Sequence, residues 1–175
     1  MTYFKDISKP ESLLTIFVAV LLTDLIFITL FRYDRGLWKI MTNRWYTDFT
    51  WSAVISDVAI IMIGFFITQY LYRRFIGQKW NPLIFVGILL TVQIIHDILY
   101  YLFVVRPFPP NTNKIMDFMK KYADEVSWGA ITGDSLMMIL ASIIAMLLKN
   151  AGNYNQMFIM TITLYLMPYL LYQKY

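Results

Sequence analysis

The stretch LIFVGILLTVQIIHDILYYLFVV, Leu83–Val105, carries a single formal charge, Asp97. A bilayer core about 30 Å thick takes roughly 20 helical residues, so this run reads as a membrane span. The same template fits Ser12–Phe31, Trp51–Leu71, Ala130–Leu148 and Tyr154–Leu171. Composition agrees: 59% of the chain is hydrophobic and only 15% is charged. A soluble domain carries about 25% charged residues and could not hide so much apolar surface. The expected fold class is all-α, one membrane domain over residues 1–175, built as a polytopic bundle of five spans. Pro168 near the end of the last segment makes four spans the alternative.

Punctuation between the spans supports this division. Ser8-Lys9-Pro10-Glu11 has the form of a capping box with proline in the first turn, and Asn81-Pro82 places a capping side chain before a helical first proline. Lys149–Asn153 is a short Gly/Asn turn suited to a helical hairpin. The first run contains Asp24 and ends at Phe31-Arg32 without a small-residue cleavage site, so it reads as a retained span.

Two connections are longer. Arg32–Thr50 mixes Trp38 and Trp45 with Arg35, Lys39 and Arg44, a composition suited to lipid headgroups. Arg106–Gly129 opens on Pro107, Pro109 and Pro110, which forbid a helix there. After them, residues 114–126 place Ile115, Phe118, Met119, Tyr122 and Val126 on one face and charges on the other. That pattern predicts an amphipathic helix lying in the interface. Five spans put both long connections and the C-terminus on one side, with nine Lys/Arg including Lys174, against six opposite. The count favours a cytoplasmic long-loop side, while the dense Arg73-Arg74-Lys79 loop argues the reverse, so orientation stays open. Trp38, Trp45, Trp51 and Trp128 all fall on the long-loop side, as an aromatic belt would.

The first four apolar runs each contain one aspartate: Asp24, Asp57, Asp97 and Asp134. An ionisable carboxyl in hydrocarbon costs several kcal/mol unless it is protonated, paired or wetted. Counting from the nearest charged long-loop residue, each lies eight or nine positions in, about 12–14 Å along a helix. The four therefore form a layer at one depth. Gln93, His96, Asp97 and Tyr100 make one polar stripe on the third span, and Ser135 follows Asp134. Gly129-x-x-x-Gly133 would let another helix approach nearby. The candidate cluster is thus Asp24, Asp57, Gln93, His96, Asp97, Tyr100, Asp134 and Ser135. Three readings of it stand open: interhelical tethers, a proton or cation pathway, and a lipid-modifying acid–base or metal-dependent enzyme with His96 as base or ligand.

Other chemistry is bounded by absence. The chain has no cysteine, His-Glu-x-x-His, Gly-x-Ser-x-Gly, phosphate-binding loop or potassium-filter motif, so no metal or cofactor is expected and a non-enzymatic role is favoured. No aromatic-plus-basic nucleic-acid motif occurs, which leaves the lipid bilayer as the expected partner.

One stretch invites comparison: Gln93 through Asp97, Arg106-Pro107-Phe108-Pro109-Pro110, Met116-Asp117-Phe118, and Gly133-Asp134-Ser135-Leu136-Met137-Met138. Over roughly residues 90–140 it resembles a group of small multi-pass membrane proteins encoded by large nucleocytoplasmic DNA viruses of algae and amoebae. The resemblance implies a structural component of a virion inner membrane, or of an infected-cell membrane, with capsid or other virion membrane proteins as partners. It supplies no catalytic residues.

Overall fold

The computed structural model describes residues 4–33, 39–77, 79–126 and 128–173. Arg35, Trp38 and Lys174, assigned above to the long-loop side, lie outside the described residues, as does the Lys39 side chain. The described residues are helical with no strand: α1 (Leu13–Tyr33), α2 (Lys39–Phe49), α3 (Trp51–Phe75), α4 (Pro82–Tyr100), α5 (Lys114–Val126), α6 (Trp128–Leu148) and α7 (Asn153–Leu171). Four helical stretches, 10–33, 51–75, 82–105 and 128–148, are long and apolar enough to cross a membrane. The fifth apolar segment is also helical, but Asn153, Asn155 and Gln156 in its first turn keep α7 below that apolarity.

Local chemistry sets the helix ends, with one departure from expectation. Asn81 caps α4 as its sequence predicts, its side chain accepting from Leu83 N and Ile84 N. The Ser8–Glu11 capping box does not form. Ser8 Oγ donates instead to Asp6 Oδ1 at 2.6 Å, and Pro10 opens a single 3₁₀ turn ahead of α1. The last turn of α4 widens at Tyr101–Val105 into a π-helical segment, closed by Arg106 N donating to Tyr101 O, before Pro107 stops it.

α1 is apolar on every side and sits at the centre, packed against α2, α3, α6 and α7. α4 is the outermost of the four apolar helices, burying only Phe85, Leu89 and Gln93. Many buried positions hold small side chains, among them Ala19, Ala53, Ala141, Ala145, Thr15, Thr23, Thr68 and Ser142. Close backbone approach through such residues is how helices associate in lipid, where apolar burial gives no net drive. Gly64 shows the constraint at one site: a Cβ there would lie 3.1 Å from Met138 Cε and 3.6 Å from Leu89 Cδ1. Gly129 does not play this part, because a Cβ there would meet only the Val126 side chain one turn away.

Polar contacts fix the two ends of the bundle. At one end Gln69 Nε2 donates to Ile7 O (2.8 Å) and Lys9 O (3.0 Å), and Lys149 Nζ donates to Ser12 Oγ (2.7 Å). At the other end α2 and α5 meet through Phe118, whose ring lies 5.4 Å from Trp45 and 5.3 Å from Phe49. α7 runs parallel to α1 along its length. Thr15 Oγ1 donates to Gln156 Oε1 (2.9 Å) near one end, and Arg32 Nη2 donates to Leu171 O (3.0 Å) near the other.

α2 is a helix where the sequence suggested only a headgroup connection. It folds back onto the bundle across Thr50, a non-glycine residue at φ 45° and ψ −118°. Trp45 is consequently 6% exposed and belongs to the core rather than to an aromatic belt. Trp128, 77% exposed, keeps a belt-like position.

Candidate functional site

α3 and α4 are in ring contact near their shared hairpin, where Phe65 and Tyr72 meet Phe85 and Trp80. Toward the opposite end a cavity of about 680 Å³ lies between α3, α4 and α6, with α5 and Trp45 along its margin. Ile60, Ile61, Ile63 and Ile67 form its α3 wall, and the π-helical segment contributes Tyr101, Leu102 and Val105. Asp57, Asp97 and Asp134 all face into it, and so do Gln93, His96 and Tyr100. Among the described residues, no Lys or Arg lines it.

The polar stripe of α4 is assembled by helical spacing. Gln93 Nε2 donates to Asp97 Oδ2, one turn on, and the Gln93 oxygen accepts from Ser135 Oγ of α6 at 2.9 Å. His96 Nδ1 lies 3.1 Å from Asp97 Oδ1, and its ring stacks on Tyr100 at 5.7 Å between centroids. The Tyr100 hydroxyl reaches Met116 Sδ at 3.9 Å. Asp134 of α6 lies close to Asp97, and both line the cavity. Asp97 is partly buried and Asp134 is exposed.

α2 supplies partners that were not anticipated. Trp45 Nε1 donates to both Asp57 oxygens, at 3.0 and 3.2 Å. Tyr46 Oη donates to Asp24 Oδ1 at 2.7 Å, and the same hydroxyl lies close enough to Asp57 to interact with it. Burial, then the neighbouring Asp57 and Asp24, pushes the Tyr46 phenol well above its ordinary value. Asp24 Oδ2 is buried without a hydrogen-bond partner among the described residues. A second space of about 110 Å³ lies beside Tyr46, Asp57 and Asp134, lined also by Phe27, Phe118 and Gly133.

The candidate residues thus divide. Asp57, Gln93, His96, Asp97, Tyr100 and Asp134 share the large cavity, and Ser135 stands behind Gln93. Asp24 does not line it and is screened by Tyr46. The acids still form one succession across the bundle: Asp24 to Tyr46, Tyr46 to Asp57, Asp57 in electrostatic range of Asp134, and Asp134 to Asp97. Among the described residues no three His, Asp or Glu side chains gather closely enough to hold a metal ion. Thr23 and Ser56, hydroxyls noted at the same depth, bond back to Ala19 O and Ser52 O of their own helices and join no cluster.

Trp45 and Tyr46 had a signal in the sequence. Trp45 and Phe49 are four apart and Tyr46 adjoins them, a helical apolar face inside a segment that otherwise reads as basic loop. No protein-family model, no curated protein and no solved structure matches the chain.

Proposed function

We propose that the chain is a multi-pass integral membrane protein of five spans, and that it works by binding a small molecule drawn from the bilayer. The cavity between α3, α4 and α6 carries this reading. Its volume falls in the range of ligand sites, about 300–1,000 Å³, and its walls are apolar with a few convergent polar groups, as such sites are. Ile63, Ile67, Ile98 and Leu102 at its margin are 40–47% exposed, which supports an opening toward lipid tails rather than toward water. Binding is favoured over catalysis because, among the described residues, no metal-ligand set accompanies the acids.

The fifth span rests on the course of α7. A helix hydrogen-bonded to α1 at Thr15 and again at Leu171 matches the height of a helix that itself suits a bilayer. With no native cysteine, cysteines introduced at Gly152 and Tyr172 test this cleanly. An impermeant maleimide labels them from opposite faces of sealed vesicles if α7 spans; labelling from one face overturns it. α5 would then lie at the interface on the side shared with α2, its Phe118 face inward.

For the cavity, intact-complex mass spectrometry of gently extracted protein is decisive. A bound small molecule is expected with the unmodified chain and not with Ala59→Trp, which places an indole in the cavity wall. Equal recovery from both would refute the assignment. The run of acids from Asp24 to Asp97 favours a second reading, a proton pathway, in which Asp97→Asn abolishes acidification of dye-loaded liposomes. The resemblance over residues 90–140 supports a virion or infected-cell membrane as the setting, with the α2–α5 end as the surface facing capsid partners. Purified virions lacking the chain would remove that setting without touching the cavity.

A further inference from the structure

Resting on the ligand-binding reading above, we infer that the cavity takes a cationic amphiphile: a hydrocarbon body bearing one ammonium group. The argument starts from size. About 680 Å³ lined mainly by isoleucine, leucine, methionine and aromatic side chains is far more than a bare cation fills, and an ion would leave that apolar wall without contacts. A hydrocarbon body must therefore be part of the occupant.

Charge then selects the head. The titratable groups facing the cavity are Asp57, Asp97, Asp134, His96 and tyrosines, with no Lys or Arg among the described lining residues. An anionic or phosphate-bearing head would face three carboxyls and no fixed cation. A neutral alcohol would leave the cavity's carboxyls without a cationic partner. Asp57 is already engaged by the Trp45 indole, and Asp97 by Gln93 and His96. Asp134 lies close to Asp97 and is an exposed lining residue of the cavity. Three carboxyls set in an apolar wall without a lysine or arginine among the described lining residues are the complement of an ammonium. Tyr100, Tyr101 and Tyr122 line the same space as aromatic neighbours for the alkyl groups on the nitrogen.

The test uses the full chain in phosphatidylcholine nanodiscs, with tryptophan emission as the readout, since Trp45 and Trp128 line the cavity. The probes are dodecyl chains brominated at the far end and carrying either dimethylamine or a hydroxyl group. The amine is expected to quench saturably, the alcohol about tenfold more weakly or not at all, and Asp134→Asn to weaken the amine about tenfold or more. Asp97→Asn serves as the second variant should Asp134→Asn fail to fold. Replacing dodecyldimethylamine by a sphingoid base tells whether a lipid-borne amine is preferred to a free one. Equal saturation by amine and alcohol, both lost in Ala59→Trp, would overturn the cationic occupant and leave the cavity as a ligand site. Saturation that survives Ala59→Trp, or none with either probe, would overturn both.

Discussion

The Tyr46 hydroxyl donates to Asp24 Oδ1 over 2.7 Å, and both side chains are almost wholly buried. The bond joins α2 to α1 and satisfies the one Asp24 oxygen that has a partner among the described residues. Removing it leaves a buried carboxyl with no donor, which costs about 1–3 kcal/mol. Tyr46→Phe is therefore expected to lower stability in detergent by that amount. Tyr46→Phe combined with Asp24→Leu should recover most of the loss, because both polar partners are then gone. Chemical unfolding of the two variants checks this, and additive losses would show that the pair is not coupled.

The same tyrosine gives a pH dependence. Its folded-state value is raised above the ordinary 10.0, so its contribution to stability is intact below pH 10. As pH rises past 10 the unfolded chain ionises first and the contribution falls. Tyr46→Phe should flatten the decline in thermal midpoint between about pH 9.5 and 11 relative to the unmodified chain. Parallel curves would mean that α2 docking does not depend on this group.

Thr50 holds a backbone geometry that favours glycine, φ 45° and ψ −118°, at the corner that turns α2 onto α3. A non-glycine residue in such a region stores about 1–3 kcal/mol. Thr50→Gly should raise the thermal midpoint, offset in part by the greater freedom of the unfolded chain. Thr50→Val should lower it. A midpoint that falls with glycine would locate the strain elsewhere.

Gly64 separates tight from tolerant packing. Alanine there meets the flexible tip of Met138 at 3.1 Å, so Gly64→Ala should change stability by less than about 1 kcal/mol, helped by better helix propensity. Gly64→Leu must displace Met138 and Leu89 and should cost about 1–3 kcal/mol. Thermal melts of the two variants decide between this and a loosely packed α3–α6 contact.

Gln93 orients the acids. It donates to Asp97 and accepts from Ser135, so Gln93→Leu removes one polar connection between α4 and α6 and the Gln93 donor from Asp97 Oδ2. About a tenfold loss of affinity for the brominated amine is expected, with Ser135→Ala giving a smaller loss. Fluorescence titration with the brominated amine measures both.

Much of this was legible in the chain itself. Periodicity and apolar run length set every helix but α2 to within a few residues, and residues 114–126 are helical as their spacing predicted. Asn81-Pro82 fixed the start of α4, and the Gln93–His96–Asp97–Tyr100 stripe followed from the helical turn alone. Such features depend on neighbours one turn apart, which sequence spacing specifies. The layer of aspartates could be threaded to a common depth for the same reason. What only the tertiary structure decided was rotation and approach between helices. It turned Asp97 and Asp134 toward one another and brought Trp45 and Tyr46 from a connecting segment onto Asp57 and Asp24. It also laid α7 parallel to α1 and left a cavity where α3 and α4 part. A helix's own sequence fixes which residues share a face. Which face meets which neighbour is set by packing many side chains at once, and that information is distributed over the whole bundle.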